Sequence, residues 1–348
     1  MKGRLISGIA AILMLGSGLM AQALSPLPVQ EYDYHITDNV PSPITLGMGG
    51  LNLTNAADYF TSYDNPALLA DNTGTSFAAS YRLANEDEIG FADVVSVSNL
   101  LKSKQFMYYT LITKNSAWSY QPVASTHIST LSATTAEYYD FQLDKLQISL
   151  AASDEKYARL SGGINIKYLT GRLVYLRERI NYSNMIREAF IDNKVKGVSG
   201  DLGFTWKEDK FTLGASLYDV LSRLWWEDYG SKKLARRAGM GIQYNGESYA
   251  LTAGLQGKLA SDAQTTYHFG YVKNWNWKSS TRSKRDINQN LVLRAGLFSK
   301  NFNGTDNINY TLGSGYNYNM FRMDFALTNT GMQLRDSKYL FSVGVGIQ

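Results

Sequence analysis

From Thr75 to the C-terminus apolar residues recur at every second position, which in an extended chain puts them all on one face. Phe77, Ala79, Tyr81 and Leu83 oppose Ser76, Ser80 and Arg82. Val198, Leu202, Phe204 and Trp206 oppose Ser199, Asp201, Thr205 and Lys207. The same division sets Ala238, Met240, Ile242 and Tyr244 against Arg237, Gly239 and Gly241. It also sets Leu291, Leu293 and Leu297 against Arg294 and Gly296, and Phe321, Met323 and Phe325 against Arg322 and Asp324. The pattern predicts strands at 75–83, 91–101, 106–112, 141–152, 158–174, 196–207, 211–221, 236–245, 247–259, 265–277, 290–299, 308–319, 321–328 and 339–347. The count is even, as in single-chain bacterial barrels. Short turns (Lys102–Gln105, Ser153–Tyr157, Glu208–Lys210, Gly246) alternate with long connections (84–90, 113–140, 175–195, 222–235, 300–307, 329–338). Barrels of the outer membrane have this parity, and a soluble sandwich has no reason to keep it. Two stretches break the pattern: 278–289, and 113–140, where Ala117–Val123 and Ala136–Tyr139 are themselves strand-like.

Residues 24–73 carry no sustained period. Pro26, Pro28, Pro41 and Pro43 interrupt regular structure, and Gly47, Gly49 and Gly50 permit left-handed backbone. Too short and too polar to bury a core of its own, this stretch reads as a hatch plugging the strand-rich remainder of the chain. The expected architecture is all-β: a transmembrane antiparallel β-barrel of about fourteen strands over 74–348, with an N-terminal hatch over 24–73.

Composition agrees. Charged residues make up 18% of the 348, below the roughly 25% of a soluble domain, while Tyr (24) and Gly (30) are abundant. Lys2 and Arg4, the apolar run Leu5–Met20 and Ala21-Gln22-Ala23 read as a cleavable export signal over 1–23. Its removal leaves 32 basic and 30 acidic residues, a balance that suggests no nucleic-acid partner. No later stretch is apolar for the roughly eighteen residues a spanning helix needs, which leaves a closed barrel as the way across a membrane. The absence of Cys excludes thiol nucleophiles and thiolate metal sites. His35, His127 and His268 show no ligand spacing and no marked nucleophile, so neither enzyme chemistry, metal nor cofactor is expected. His268 alternates with Tyr267 and Phe269 and is read as lumen-facing.

The export signal, Gly47-Met48-Gly49-Gly50, and Asn65-Pro66-Ala67-Leu68-Leu69 ahead of the first strand resemble the FadL superfamily, in particular its PorV/PorQ-like members. The segment Arg322-Met323-Asp324-Phe325-Ala326-Leu327 before a short last hairpin is also similar, although the chain ends in Ile347-Gln348 rather than an aromatic residue. The resemblance implies a lumen closed by an N-terminal hatch and, in the transporters among them, entry of hydrophobic molecules from outside and sideways exit through the wall. Two functions are expected on that basis. One is transport of a hydrophobic ligand such as a fatty acid across the outer membrane. The alternative is a non-enzymatic barrel partnering a secretion-system protein or displaying binding loops. Outer membrane lipids and the barrel-insertion machinery are partners under either reading.

Candidate hatch and gating residues are Gly47, Gly49, Gly50, Asn65, Pro66 and Ala67; a tight turn before the first strand is the plainer reading of the Asn-Pro-Ala element. The expected lumen-facing charges are Arg82, Asp201, Lys207, Arg237, Arg294, Arg322 and Asp324. They form either a rigid ionic network or a place for a ligand carboxylate, which Arg grips in a two-pronged fork. Trp225, Trp226, Trp275 and Trp277 read as interface girdles or a greasy capture surface. The run Lys278–Arg285 reads as a solvated turn or a contact for anionic headgroups.

Overall fold

A computed structural model describes residues 40–83, 104–132, 134–154, 159–181, 184–259, 265–280, 286–302, 305–329 and 337–347. The expected export signal and the expected strand 91–101 lie outside the described residues.

Among the described residues fourteen antiparallel strands close into one barrel, each bonded to its sequence neighbours and the last to the first. They are β1 (Thr75–Leu83), β2 (Lys104–Thr113), β3 (Ser116–Leu131), β4 (Thr135–Ser153), β5 (Leu160–Asn181), β6 (Asn184–Glu208) and β7 (Phe211–Trp226). The remainder are β8 (Arg237–Asn245), β9 (Tyr249–Lys258), β10 (Thr265–Ser280), β11 (Asp286–Phe302), β12 (Thr305–Tyr318), β13 (Phe321–Asn329) and β14 (Lys338–Ile347). Closure runs from Thr75 opposite Ile347 to Leu83 opposite Tyr339.

At one rim, strands meet in tight turns containing Asn115, Asp209 and Asn319, with φ of 60°, 47° and 55°. Asn and Asp tolerate this left-handed backbone, whose twist matches that of paired strands. At the other rim β3 to β7 rise well above their neighbours; β6 has 25 residues against nine in β8.

The sequence expectation differs from the structure in several places. The stretch 113–140 is not a loop: β3 fills most of it and makes the second tall hairpin with β4. Lys102–Gln105 is not a turn between strands, since β2 begins at Lys104 and pairs directly with β1. The connection 175–195 shrinks to a tight hairpin because Asn181 pairs with Asn184. Likewise 300–307 and 278–289 are mostly strand, at the ends of β10, β11 and β12. In the upper parts of β5 and β6 alternation weakens above the apolar band, where both faces of the ladder meet water, so periodicity no longer marks the strand.

The outward face is apolar over a continuous belt that includes Trp118, Ile166, Phe204, Met240, Phe269 and Leu312, all exposed. Such a surface suits lipid and not water. Near the short-turn rim the belt ends in adjoining aromatic rings, Phe211–Tyr244, Tyr244–Tyr249, Tyr249–Tyr271 and Trp277–Tyr316, with centroids 5.3–6.4 Å apart. Trp225, Trp275 and Trp277 point outward as girdle residues. Trp226 does not; it is buried inside the barrel among apolar side chains.

Full closure predicts that unheated protein in detergent migrates faster on a denaturing gel than boiled protein. Identical migration would contradict a closed, fully bonded wall.

Candidate functional site: the hatch and its seat

The hatch enters the lumen as a short helix, α1 (Pro43–Gly47). Ser42 caps it, its Oγ accepting from the N–H groups of Ile44 and Thr45, and Pro43 opens it with a preset φ. The chain then turns at Gly49 and Gly50, with φ of +87° and +80°. A second helical turn, α2 (Thr61–Asp64), leads into a 3-10 turn over Pro66–Asp71. Asn65 joins three pieces. Its Oδ1 accepts from Ala67 N–H, while its Nδ2 donates to Leu53 O within the hatch at 2.8 Å and to Phe204 O of the wall at 3.1 Å.

The hatch lies against wall positions that have no side chain. A Cβ on Gly214 would stand 1.9 Å from Leu53 O, and one on Gly203 2.2 Å from Asn65 Oδ1. On Gly296 it would meet Gly49 N at 2.3 Å, on Gly270 Met48 O at 2.4 Å, and on Gly163 Ala67 N at 2.5 Å. Several of these glycines are cross-strand partners: Gly163 with Gly203, Gly270 with Gly296, and Gly214 with Gly241, itself paired with Gly254. They form a track around much of the inner wall, along which the hatch backbone runs.

Because the hatch backbone is buried, its carbonyls need donors. The wall supplies them. His268 Nδ1 faces the Gly49 carbonyl at 2.6 Å and so donates to it, while its Nε2 lies 2.8 Å from Thr266 Oγ1, whose hydroxyl also reaches Gln256 O at 3.1 Å. Arg322 donates to Ala57 O, Tyr218 to Asp64 O at 2.7 Å, and Asn165 and Gln147 to Ser62 O.

Two ionic groups flank the hatch. On one side Asp324 accepts from Arg294 at 2.9 Å and from Arg322 at 2.7 Å, all three buried. On the other, Lys167 bonds Asp201 at 2.6 Å and Asp219 at 3.1 Å. Arg237 stacks over Tyr218, and Lys145 lies 4.8 Å over Tyr63 and 5.8 Å over Tyr108. Lys207 pairs with Asp71 at the end of the 3-10 turn. Arg82 lies on the inward row of β1 toward the tall rim, apart from the track.

Between these groups the hatch carries two buried carboxyls. Thr45 Oγ1 is 3.0 Å from Asp58 Oδ2 and 3.1 Å from Asp64 Oδ2. A hydroxyl has one proton to give, so both contacts are satisfied only when one carboxyl is protonated. Asp58 already accepts from Ser42 Oγ and Phe60 N–H; the proton therefore resides on Asp64. Burial, and then the neighbouring Asp58, push the Asp64 carboxyl up to about 8.

The candidate residues on Asn65-Pro66-Ala67 and the G-M-G-G turn thus meet the wall directly. Lys145, Lys167, Asp219, Asp58 and Asp64 escape the sequence reading. Lys145 and Lys167 share parity with buried apolar neighbours and could have been found by it. Asp219 could not: β7 bulges opposite Asp201, putting Tyr218 and Asp219 both inward, with Asp219 at φ 54°.

No protein-family model and no curated protein sequence matches the chain. Solved structures do share its fold. The toluene transporter TbuX of Ralstonia pickettii matches at a TM-score of 0.50 and 12% identity, over 89% of this chain and 98% of that one. The CymD monoaromatic hydrocarbon channel matches at 0.51 and 12%, over 88% and 96%. The Pseudomonas putida toluene transporter TodX matches at 0.50 and 12%, over 87% and 96%. At this identity the likeness establishes the barrel fold.

Three outcomes are expected. Asn65→Ala removes the side-chain donor to buried Leu53 O, at about 1–3 kcal/mol, and the hatch's bond to Phe204 O of the wall; hydrogen exchange of residues 40–72 should rise while that of the wall does not. Gly214→Ala forces the hatch from its seat at about 1–3 kcal/mol, and the same exchange measurement should show it. For Asp64, the folded value of about 8 exceeds the ordinary 3.8, so the folded state holds a proton that the unfolded state lacks between them. Stability therefore falls as pH rises through that window. The thermal midpoint should drop from pH 5 to 8.5, and Asp64→Asn should reduce the slope.

Proposed function

We propose that this protein is an outer membrane barrel that passes hydrophobic small molecules bearing an anionic head, its hatch moving aside for passage. One observation carries the reading. The lumen above the hatch is apolar where a water-filled pore would be polar: Phe141, Leu143, Leu169, Leu173, Val195 and Trp226 face inward from β4 to β7 and are buried together. Leu234 and Tyr229, from the 227–236 connection, close over this cluster. Lys145, Lys167, Arg237 and Asp219 reach its base, lining a cavity of about 20 Å³ with Val123, Leu169 and Leu234. The three cations outnumber Asp201 and Asp219, which both pair with Lys167, by one, and apolar walls above that surplus charge suit an aliphatic or aromatic body with a carboxylate below.

The cavity is too small for such a molecule, so entry requires the 227–236 connection to lift and release Leu234. Onward movement requires the hatch to shift, because it fills the barrel between this cluster and a polar vestibule of about 780 Å³ at the short-turn rim. The hatch motifs resembling the FadL superfamily, and the fold shared with hydrocarbon channels, support the same reading.

Binding by the detergent-solubilised protein, read by native mass spectrometry, tests it. Long-chain fatty acid should bind in a defined ratio. Lys145→Met should weaken binding about tenfold, since a hydrogen bond to a charged group contributes about 1.5–3 kcal/mol, and should leave a neutral hydrocarbon of equal length unaffected. No saturable binding of either molecule would contradict the proposal. A stoichiometric protein partner with an empty lumen would favour the secretion-escort role.

A further inference from the structure

A second feature lies on the outside of the tall wall and plays no part in passage through the lumen. The outward row Tyr168–Val198–Arg223 crosses β5, β6 and β7 in register, and the next row toward the tall rim is Thr170–Lys196–Trp225. Below them the outward residues are Ile164, Ile166, Leu202, Phe204, Leu217 and Leu221, all exposed and apolar. The first charges above the belt here are therefore Lys196 and Arg223, diagonal neighbours roughly 7–8 Å apart on the ladder. Trp225 stands beside them, 44% exposed, with the Arg223 guanidinium 5.8 Å above its ring.

Neither cation has a carboxylate partner among the described residues. Arg223 donates to Ser231 Oγ at 3.1 and 3.2 Å, which leaves further guanidinium donors free. The acids nearby are committed or further away. Asp192 is held in a two-pronged pair with Arg172, Asp144 accepts from Tyr120 on the far side of β5, and Glu227 lies a row higher near Lys194 without an ion pair. On β6 and β7 the row bordering the belt is basic, with Asp144 two strands away across Thr170, and the row above adds exposed Lys194 beside the Arg172–Asp192 pair.

We propose that Lys196 and Arg223, with Lys194 above and Trp225 alongside, bind the phosphates of a glycolipid in the leaflet at the tall rim. Cations at the level where acyl chains give way to headgroups attract lipid phosphate at about 1 kcal/mol each. Lys194, one row above the Lys196–Arg223 pair, places a cation at a second height, which suits a headgroup with two phosphates better than a compact one with a single phosphate. This inference rests on the barrel spanning a membrane, and not on what the lumen carries.

The full-length protein should be reconstituted into neutral phosphatidylcholine vesicles doped with either a bis-phosphorylated glycolipid or phosphatidylglycerol at equal charge. Flotation reports insertion, and the lipid co-purifying after detergent extraction is then counted. The wild type should enrich the glycolipid over both phospholipids. Lys196→Ala/Arg223→Ala should lose about 25-fold of that enrichment, about fivefold for each cation. Lys273→Ala, removing an outward lysine near the opposite rim, should lose none. A gel-mobility shift on boiling confirms that each variant is folded. Equal retention by wild type and double variant, or equal enrichment of both anionic lipids, would overturn the proposal. Failure of the wild type to float would overturn the membrane reading itself.

Discussion

Everything inside this barrel depends on a backbone running against a backbone. The hatch packs apolar side chains on the wall, Ile44 and Met48 on Val272 and Val292, Leu46 on Met107 and Leu340, and Leu69 on Ile112. Its backbone is buried with them, and its close approach and hydrogen bonding require the wall to lack side chains where it passes. Gly163, Gly203, Gly214, Gly270 and Gly296 provide that clearance. His268, Asn165, Tyr218 and Arg322 provide donors beside it. Neither set suffices alone: a track without donors would strand buried carbonyls, and donors without a track could not approach them.

This seat separates two chemically unlike chambers. Toward the tall rim the lumen is apolar over a charged floor of Lys145, Lys167, Arg237, Asp201 and Asp219; toward the short-turn rim it opens into a vestibule lined by amides such as Asn276, Asn290 and Asn317. The hatch between them is rigid through its ionic flanks and yet contains a carboxyl pair that shares one proton through Thr45.

Much of this was legible in the sequence, for a physical reason in each case. Alternation located most strands because inward and outward faces meet different solvents within the apolar band. It failed for the upper halves of β5 and β6, where both faces are wet, while the lower half of β3 alternates across the band and was visible as the strand-like piece Ala117–Val123. The turn Gly47-Met48-Gly49-Gly50 and the Asn65-Pro66-Ala67 element were visible because left-handed backbone and turn capping demand particular residues. The wall glycines were visible as small residues on the inward face, but their purpose was not. What they accommodate is another segment more than a hundred residues away in sequence, and no local pattern records that. Asp219 was hidden for a different reason: the bulge in β7 turns it inward against a parity that is the same on either side.

The central claim is that passage through the lumen requires the hatch to leave its seat. A Cβ built on Gly241 lies 3.6 Å from Leu53 Cβ, within the range for a disulfide, and the chain has no other cysteine. Leu53→Cys/Gly241→Cys should therefore tie hatch to wall when oxidised. Uptake of a radiolabelled long-chain fatty acid by cells carrying this variant should cease on oxidation and return on reduction. Uptake at the wild-type rate by the fully oxidised protein would contradict the account.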